Sequence, residues 1–231
     1  MRKFFKEEGA KLKEMNFTDK RQYIWEYYKL HIFVIGFAII FIGGLINVWF
    51  INPPKRDYLY IAWQAWFVPP EQLEELSQRL NVIVENQERY QVSVRSYVLT
   101  GEPQMDQAIV TRFHAMLSVG DVHAIVIESA TITEYAEVGM IMPVHELVDA
   151  VRDLSPALYN DITNRIRPVT YTPRDEDTPV TDMMAISLYG APLLTELEII
   201  STDLYLGVLV NTNHFYELAK ILQVLFYEGA G

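Results

Sequence analysis

The chain has 231 residues, half of them apolar, with 19 Lys and Arg against 30 Asp and Glu and no cysteine. A length of this order supports one or two domains with a buried core. The formal net charge of −11 argues against a nucleic-acid ligand, whose phosphates need a basic face. The missing cysteine excludes disulfides, thiolate zinc sites, thiol catalysis and a lipidated-cysteine anchor.

The charge is unevenly distributed. Residues 1–29 hold eight basic and five acidic side chains, none lies between Lys29 and Lys55, and residues 53–231 hold 11 basic and 25 acidic ones. The uncharged stretch over residues 32–51 reads IFVIGFAIIFIGGLINVWFI. At about 1.5 Å per residue it spans the roughly 30 Å hydrocarbon layer of a bilayer. It is longer than the apolar part of a cleavable signal peptide and leaves through Trp49, Phe50, Asn52, Pro53 and Pro54 rather than through a small-residue cleavage site. Residues 30–52 are therefore expected to be a single-pass signal anchor in the cell membrane, with the lipid bilayer as a partner.

Lys20, Arg21 and Lys29 precede the span closely, whereas only Lys55 and Arg56 follow it closely. The excess of basic residues before the span predicts a cytoplasmic N-terminus and an extracytoplasmic C-terminal domain over residues 53–231. Tyr23, Trp25, Tyr27 and Tyr28 on one side, and Trp49 and Phe50 on the other, suit the two headgroup layers. Gly36, Gly43 and Asn47 fall on one helix face, where another helix could pack closely. Glycine is also ordinary in membrane helices, and Asn47 would equally suit the outer headgroups. Residues 1–29 are expected to form a cytoplasmic tail and an interfacial helix capped by Thr18 or Asp19.

Beyond the span, Tyr58, Tyr60 and Ala62 alternate as in a strand, followed by Trp63, Trp66 and Phe67. Pro70 suits a first helical turn, Glu71, Glu74 and Glu75 suit its dipole, and Leu73, Leu76 and Leu80 form its apolar stripe. Tyr90, Val92 and Val94 mark a second strand. Met105, Ile109, Phe113, Met116 and Leu117 mark one side of a second helix, and VHAIVI over residues 122–127 reads as a strand covered on both faces. This alternation predicts a parallel sheet with right-handed crossovers. Thr131 and Glu134 suggest a capping box, Gly139 a helix end, and residues 143–151 another short helix. Two strands, over residues 168–172 and 179–188, flank an acidic turn containing Asp175, Glu176 and Asp177. A last strand over residues 204–210 leads, through a cap at Asn211 to Asn213, into a final helix with Phe215, Leu218, Leu222, Leu225 and Phe226 inward.

The ordered pieces GDVHAIVI (residues 120–127), EYAEVGM (134–140) and PVHELV (143–148) resemble the first lobe of type II extracellular solute-binding proteins of ABC importers. That resemblance, over roughly residues 57–150, implies an α/β fold: a single compact three-layer domain like one lobe of a type II periplasmic binding protein. Such proteins have two lobes, and the 179 residues beyond the span are too few for both. The segment YIWEYYK (residues 23–29) running into a membrane span also resembles small membrane proteins of Gram-positive Firmicutes.

A ligand site in a parallel sheet lies beyond the carboxyl ends of its strands. This points to Trp63, Gln64 and Trp66, together with Glu128 and Ser129, as ligand-binding candidates; the tryptophans would serve equally as core packing. The five histidines show no H-E-x-x-H or other ligand spacing, and neither a G-x-S-x-G elbow nor a P-loop is present. The acidic turn lacks the alternating ligands and glycine of an EF-hand loop. No catalytic residue, metal or cofactor is expected. The leading expectation is a non-catalytic, membrane-tethered accessory or interaction subunit of a membrane complex such as an ABC transporter, with a membrane protein as partner. The alternatives are a reduced module that captures a small-molecule ligand, and a surface hydrolase.

Overall fold

Helix α1 runs over Phe17–Ile46 and widens into a π turn at Asn47–Ile51. The structure is a computed structural model that describes residues 16–51, 53–174 and 177–228. The tail expected before residue 16, Asn52, and Asp175 and Glu176 of the acidic turn lie outside them. Asn16, rather than Thr18 or Asp19, is the N-cap of α1, and Asp19 falls in its first turn, where a carboxylate complements the helix dipole. Within Trp25–Ile51 the most apolar 18-residue window has a mean hydropathy of 2.4 and none of it is buried, so by length and composition this helix can cross a membrane.

The chain divides at Pro54, and Lys55–Gly231 forms the second unit. Its strands are β1 (Arg56–Trp63), β2 (Tyr90–Ser96), β3 (Ala124–Ile127), β4 (Ile141–Met142), β5 (Ile166–Tyr171), β6 (Val180–Ser187) and β7 (Tyr205–Leu209). Among the described residues these seven make one sheet in the order β2-β1-β3-β7-β6-β5, with β4 beside β7. The pairs β1/β2 and β1/β3 are parallel; β3/β7, β4/β7, β6/β7 and β5/β6 are antiparallel. The expected parallel sheet is thus confined to three strands, and a mixed sheet continues from them.

The helices of this unit are α2 (Pro70–Leu80), α3 (Pro103–Val119), α4 (Ser129–Glu137), α5 (His145–Leu154), α6 (Pro156–Thr163), α7 (Pro192–Glu196) and α8 (Phe215–Gln223). They cover the sheet unequally. One face carries a core built from Leu59, Ile61 and Trp63 of β1 with Leu73, Leu76 and Leu80 of α2, Leu147 and Val151 of α5, and Leu218 and Leu222 of α8. On the other face Tyr60 and Ala62 meet Phe113 of α3 and Ile132 and Ala136 of α4. Alternate residues of β1 therefore enter opposite cores, which is why the strand is apolar at nearly every inner position. β3 is fully buried for the same reason. The crossover helices α2 and α3 lie on opposite faces, as right-handed connections require when successive parallel strands add to opposite sides of β1.

Local chemistry sets the helix ends. Pro70, Pro103, Pro156 and Pro192 stand at first positions, where a missing N–H costs nothing, and Ser155 accepts from the Leu158 N–H at 3.4 Å as the N-cap of α6. α4 begins one turn earlier than a capping box at Thr131 would place it: its N-cap is Glu128, and the Thr131 hydroxyl donates to the Glu128 carbonyl at 2.8 Å. His214, rather than Asn211 to Asn213, caps α8.

Candidate binding groove

The strand ends expected to converge on a ligand are separated by the sheet. Trp63 is fully buried on the α2 face, and its indole N–H donates to the Trp66 carbonyl at 2.9 Å. The two indoles meet edge to face at 5.7 Å, with Trp66 half-buried against the same core. Gln64 turns to the other face, where its Oε1 accepts from the Tyr135 hydroxyl of α4. Glu128 and Ser129 begin α4, and the Ser129 N–H donates to Asp203 Oδ1 at 3.3 Å. Of the five residues, only Gln64 lines a large cavity on the α3 and α4 side of the sheet. In α1, a side chain added at Gly36 or Gly43 would meet open space, while the Asn47 N–H closes onto the carbonyls of Gly43 and Gly44.

That cavity is an open groove of about 880 Å³ between α3 and α4. Its floor contains Tyr97, Val122 and Leu209, all buried, and its walls include Ile109 and Leu117 from α3 and Val138 just past α4. The volume and apolar lining suit a binding site, in which a few polar groups orient what the apolar walls hold. Gln64 and Tyr135 form one such pair in the wall; Glu134, His114 and Asn211 are the other polar lining groups. Burial raises the Tyr135 phenol above its ordinary pKa, so at neutral pH it remains a hydrogen-bond donor.

The groove exists because α3 is incompletely covered. Among its described residues only Phe113 is buried, although Met105, Ile109, Phe113, Met116 and Leu117 form the apolar side expected to pack inward. Met105 is 58% exposed and Val110 42%. The helix is held at its ends. Asp106 accepts from the N–H groups of Thr100 and Gly101 at 2.6 and 3.1 Å, bonds that hold its carboxyl below the usual range. Gly120 closes the other end at φ +80°, a left-handed turn open to glycine. The signal present in the sequence was the apolar stripe of α3 itself, of which Ile109, Phe113 and Leu117 line the groove.

A second polar cluster lies at the opposite ends of β1 and β3. His123 Nδ1 accepts from the Tyr60 N–H at 3.1 Å, its ring meets that of His214 edge to face at 4.6 Å, and the Tyr58 hydroxyl donates to Glu217 at 3.0 Å. Burial, followed by the neighbouring His214, lowers the pKa of His123, so the folded chain keeps it neutral where an exposed histidine would be charged. Below about pH 6.5 the unfolded chain takes up a proton that the folded chain refuses, so stability present above that pH declines as pH falls toward the depressed folded-state value. His123→Asn keeps an acceptor near the Nδ1 position without a titrating ring. Thermal melts from pH 7.5 to 5.5 should fall less steeply for this variant than for the wild type; parallel slopes would remove His123 as the cause.

No group of three or more His, Asp or Glu suited to a metal ion occurs among the described residues. No family model, curated protein or solved structure matches the chain.

Proposed function

We propose that this chain is a non-catalytic, membrane-tethered extracytoplasmic domain that acts as an accessory or interaction subunit of a membrane complex, an ABC transporter being one candidate, with the α3–α4 groove as its docking surface. The observation that carries this reading is the apolar side of α3, which the domain's own core leaves half open. Contiguous exposed apolar surface costs free energy in water and is retained where another molecule covers it. The span-length α1 supports the tether, and the basic residues before it support the orientation.

The fold reading is that of a single lobe like those of type II solute-binding proteins, supported by the 2-1-3 order of the parallel strands and the motif resemblance. A lobe without its mate would leave a face for another protein. The Gln64–Tyr135 pair favours a second reading, capture of a small molecule in the same groove.

The test is co-purification of the tagged full-length chain in mild detergent, with associated membrane proteins quantified by mass spectrometry. Val110→Glu places a charge in the groove, whereas Val119→Glu places one on the same helix outside it, at a residue 71% exposed. Recovery of the partner should fall at least about fivefold, or roughly 1 kcal/mol, for the first variant and remain unchanged for the second. Equal recovery with both variants would reject the groove as the docking surface.

A further inference from the structure

Resting on the reading that the α3–α4 groove is the docking surface, we propose that its occupant is a basic amphipathic helix presented by the partner membrane protein. Apolar side chains at helical spacing would enter the groove, and a lysine or arginine side chain would meet the Glu134 carboxylate in its α4 wall.

Charge complementarity selects the partner. Residues 97–140, which supply most of the groove, carry six carboxylates (Glu102, Asp106, Asp121, Glu128, Glu134 and Glu137) against the single cation Arg112. Among the described residues no lysine or arginine lines the groove, and Glu134 does. An anionic guest would meet like charge at Glu134 of the α4 wall, an interaction that acts over the roughly 8 Å screening length of physiological salt. A cationic guest gains from the same field, and its orientation along the groove is fixed by it.

Size admits a helix. α3 and α4 pack on the same face of the sheet, each leaving the carboxyl end of a parallel strand. A helical turn about 10 Å wide and 5.4 Å long occupies about 420 Å³. The groove's 880 Å³ therefore matches about two turns, enough for anchors at i, i+4 and i+7. Strand addition at the β2 edge is obstructed by the domain itself. The N–H groups of Val92 and Val94 are taken by Asn81 Oδ1 and Ser77 Oγ of the α2 segment, at 2.6 and 2.9 Å.

The experiment uses the full-length chain in phosphatidylcholine nanodiscs, with empty nanodiscs as background. The probes are a 14-residue amphipathic leucine–lysine peptide and its leucine–glutamate twin, each fluorescently labelled for anisotropy. The lysine peptide should bind at least tenfold more tightly than its twin. Glu134→Lys with Glu137→Lys should weaken that binding at least tenfold. Glu71→Lys with Glu75→Lys, an equal charge change on exposed positions of α2, should leave it unchanged. In the mild-detergent extract, unlabelled lysine peptide should also displace the co-purifying partner.

Equal binding of the twin, or an equal loss from the α2 pair, would reduce the effect to overall charge and overturn the proposal. Binding without displacement of the partner would mean that the site receives free peptide, and would overturn it as well. If Val110→Glu abolishes partner recovery while the lysine peptide fails to bind, the docking surface stands and the occupant's chemistry is wrong. If Val110→Glu has no effect on recovery, both readings fall.

Discussion

Trp63→Ala is expected to destabilise the α/β domain by about 3–5 kcal/mol, a large share of the 5–15 kcal/mol that holds a typical domain together. The indole is fully buried among side chains from the α2 face, and truncation would leave a cavity bounded by neighbours with little room to collapse. It would also leave the Trp66 carbonyl without its donor. Near-ultraviolet circular dichroism during thermal unfolding of the full chain should register a lower midpoint and a changed aromatic spectrum. Trp66→Ala removes a partly exposed ring and should cost distinctly less. Equal losses from the two substitutions would contradict the division between a core indole and a peripheral one.

That pair of residues shows what sequence pattern resolves and what it does not. Alternation places Trp63 at the end of a strand, but the choice between ligand stacking and core packing depends on which sheet face carries the deeper core. Face assignment is a long-range property: it depends on α5 and α8, more than 80 residues later in the chain, closing over Leu59, Ile61 and Trp63. Gln64, one position on, turns to the opposite face because side chains alternate, and only there does it meet Tyr135, 71 residues away.

Elements with strong local periodicity were legible. Leu73, Leu76 and Leu80 are all buried, as are Val92 and Val94, and the hairpin of β5 and β6 falls where two strands were expected. Leu206 of the last strand and Leu222 and Leu225 of the closing helical segment are buried, and Ile109 of α3 is only partly so. Ile109 belongs to an amphipathic helix whose apolar side is only partly covered by the described residues. Amphipathicity reports that a face avoids water; it does not report whether the cover comes from the same chain. The short elements β4, α6 and α7 were not anticipated, because two to eight residues provide too few periods for a pattern. Their proline starts and the Ser155 cap were the available local signals.

The account depends most on where the groove faces, and the absence of native cysteine allows a direct measurement. Val119→Cys introduces a thiol on α3 outside the groove, at a residue that is 71% exposed, and Lys20→Cys introduces one before the span. Intact cells are treated with a membrane-impermeant maleimide, and labelling is read on the purified full-length chain before and after permeabilisation. The tethered extracytoplasmic reading predicts nearly complete labelling at position 119 in intact cells and labelling at position 20 only after permeabilisation. The reverse pattern, with position 20 labelled from outside and position 119 protected, would contradict it.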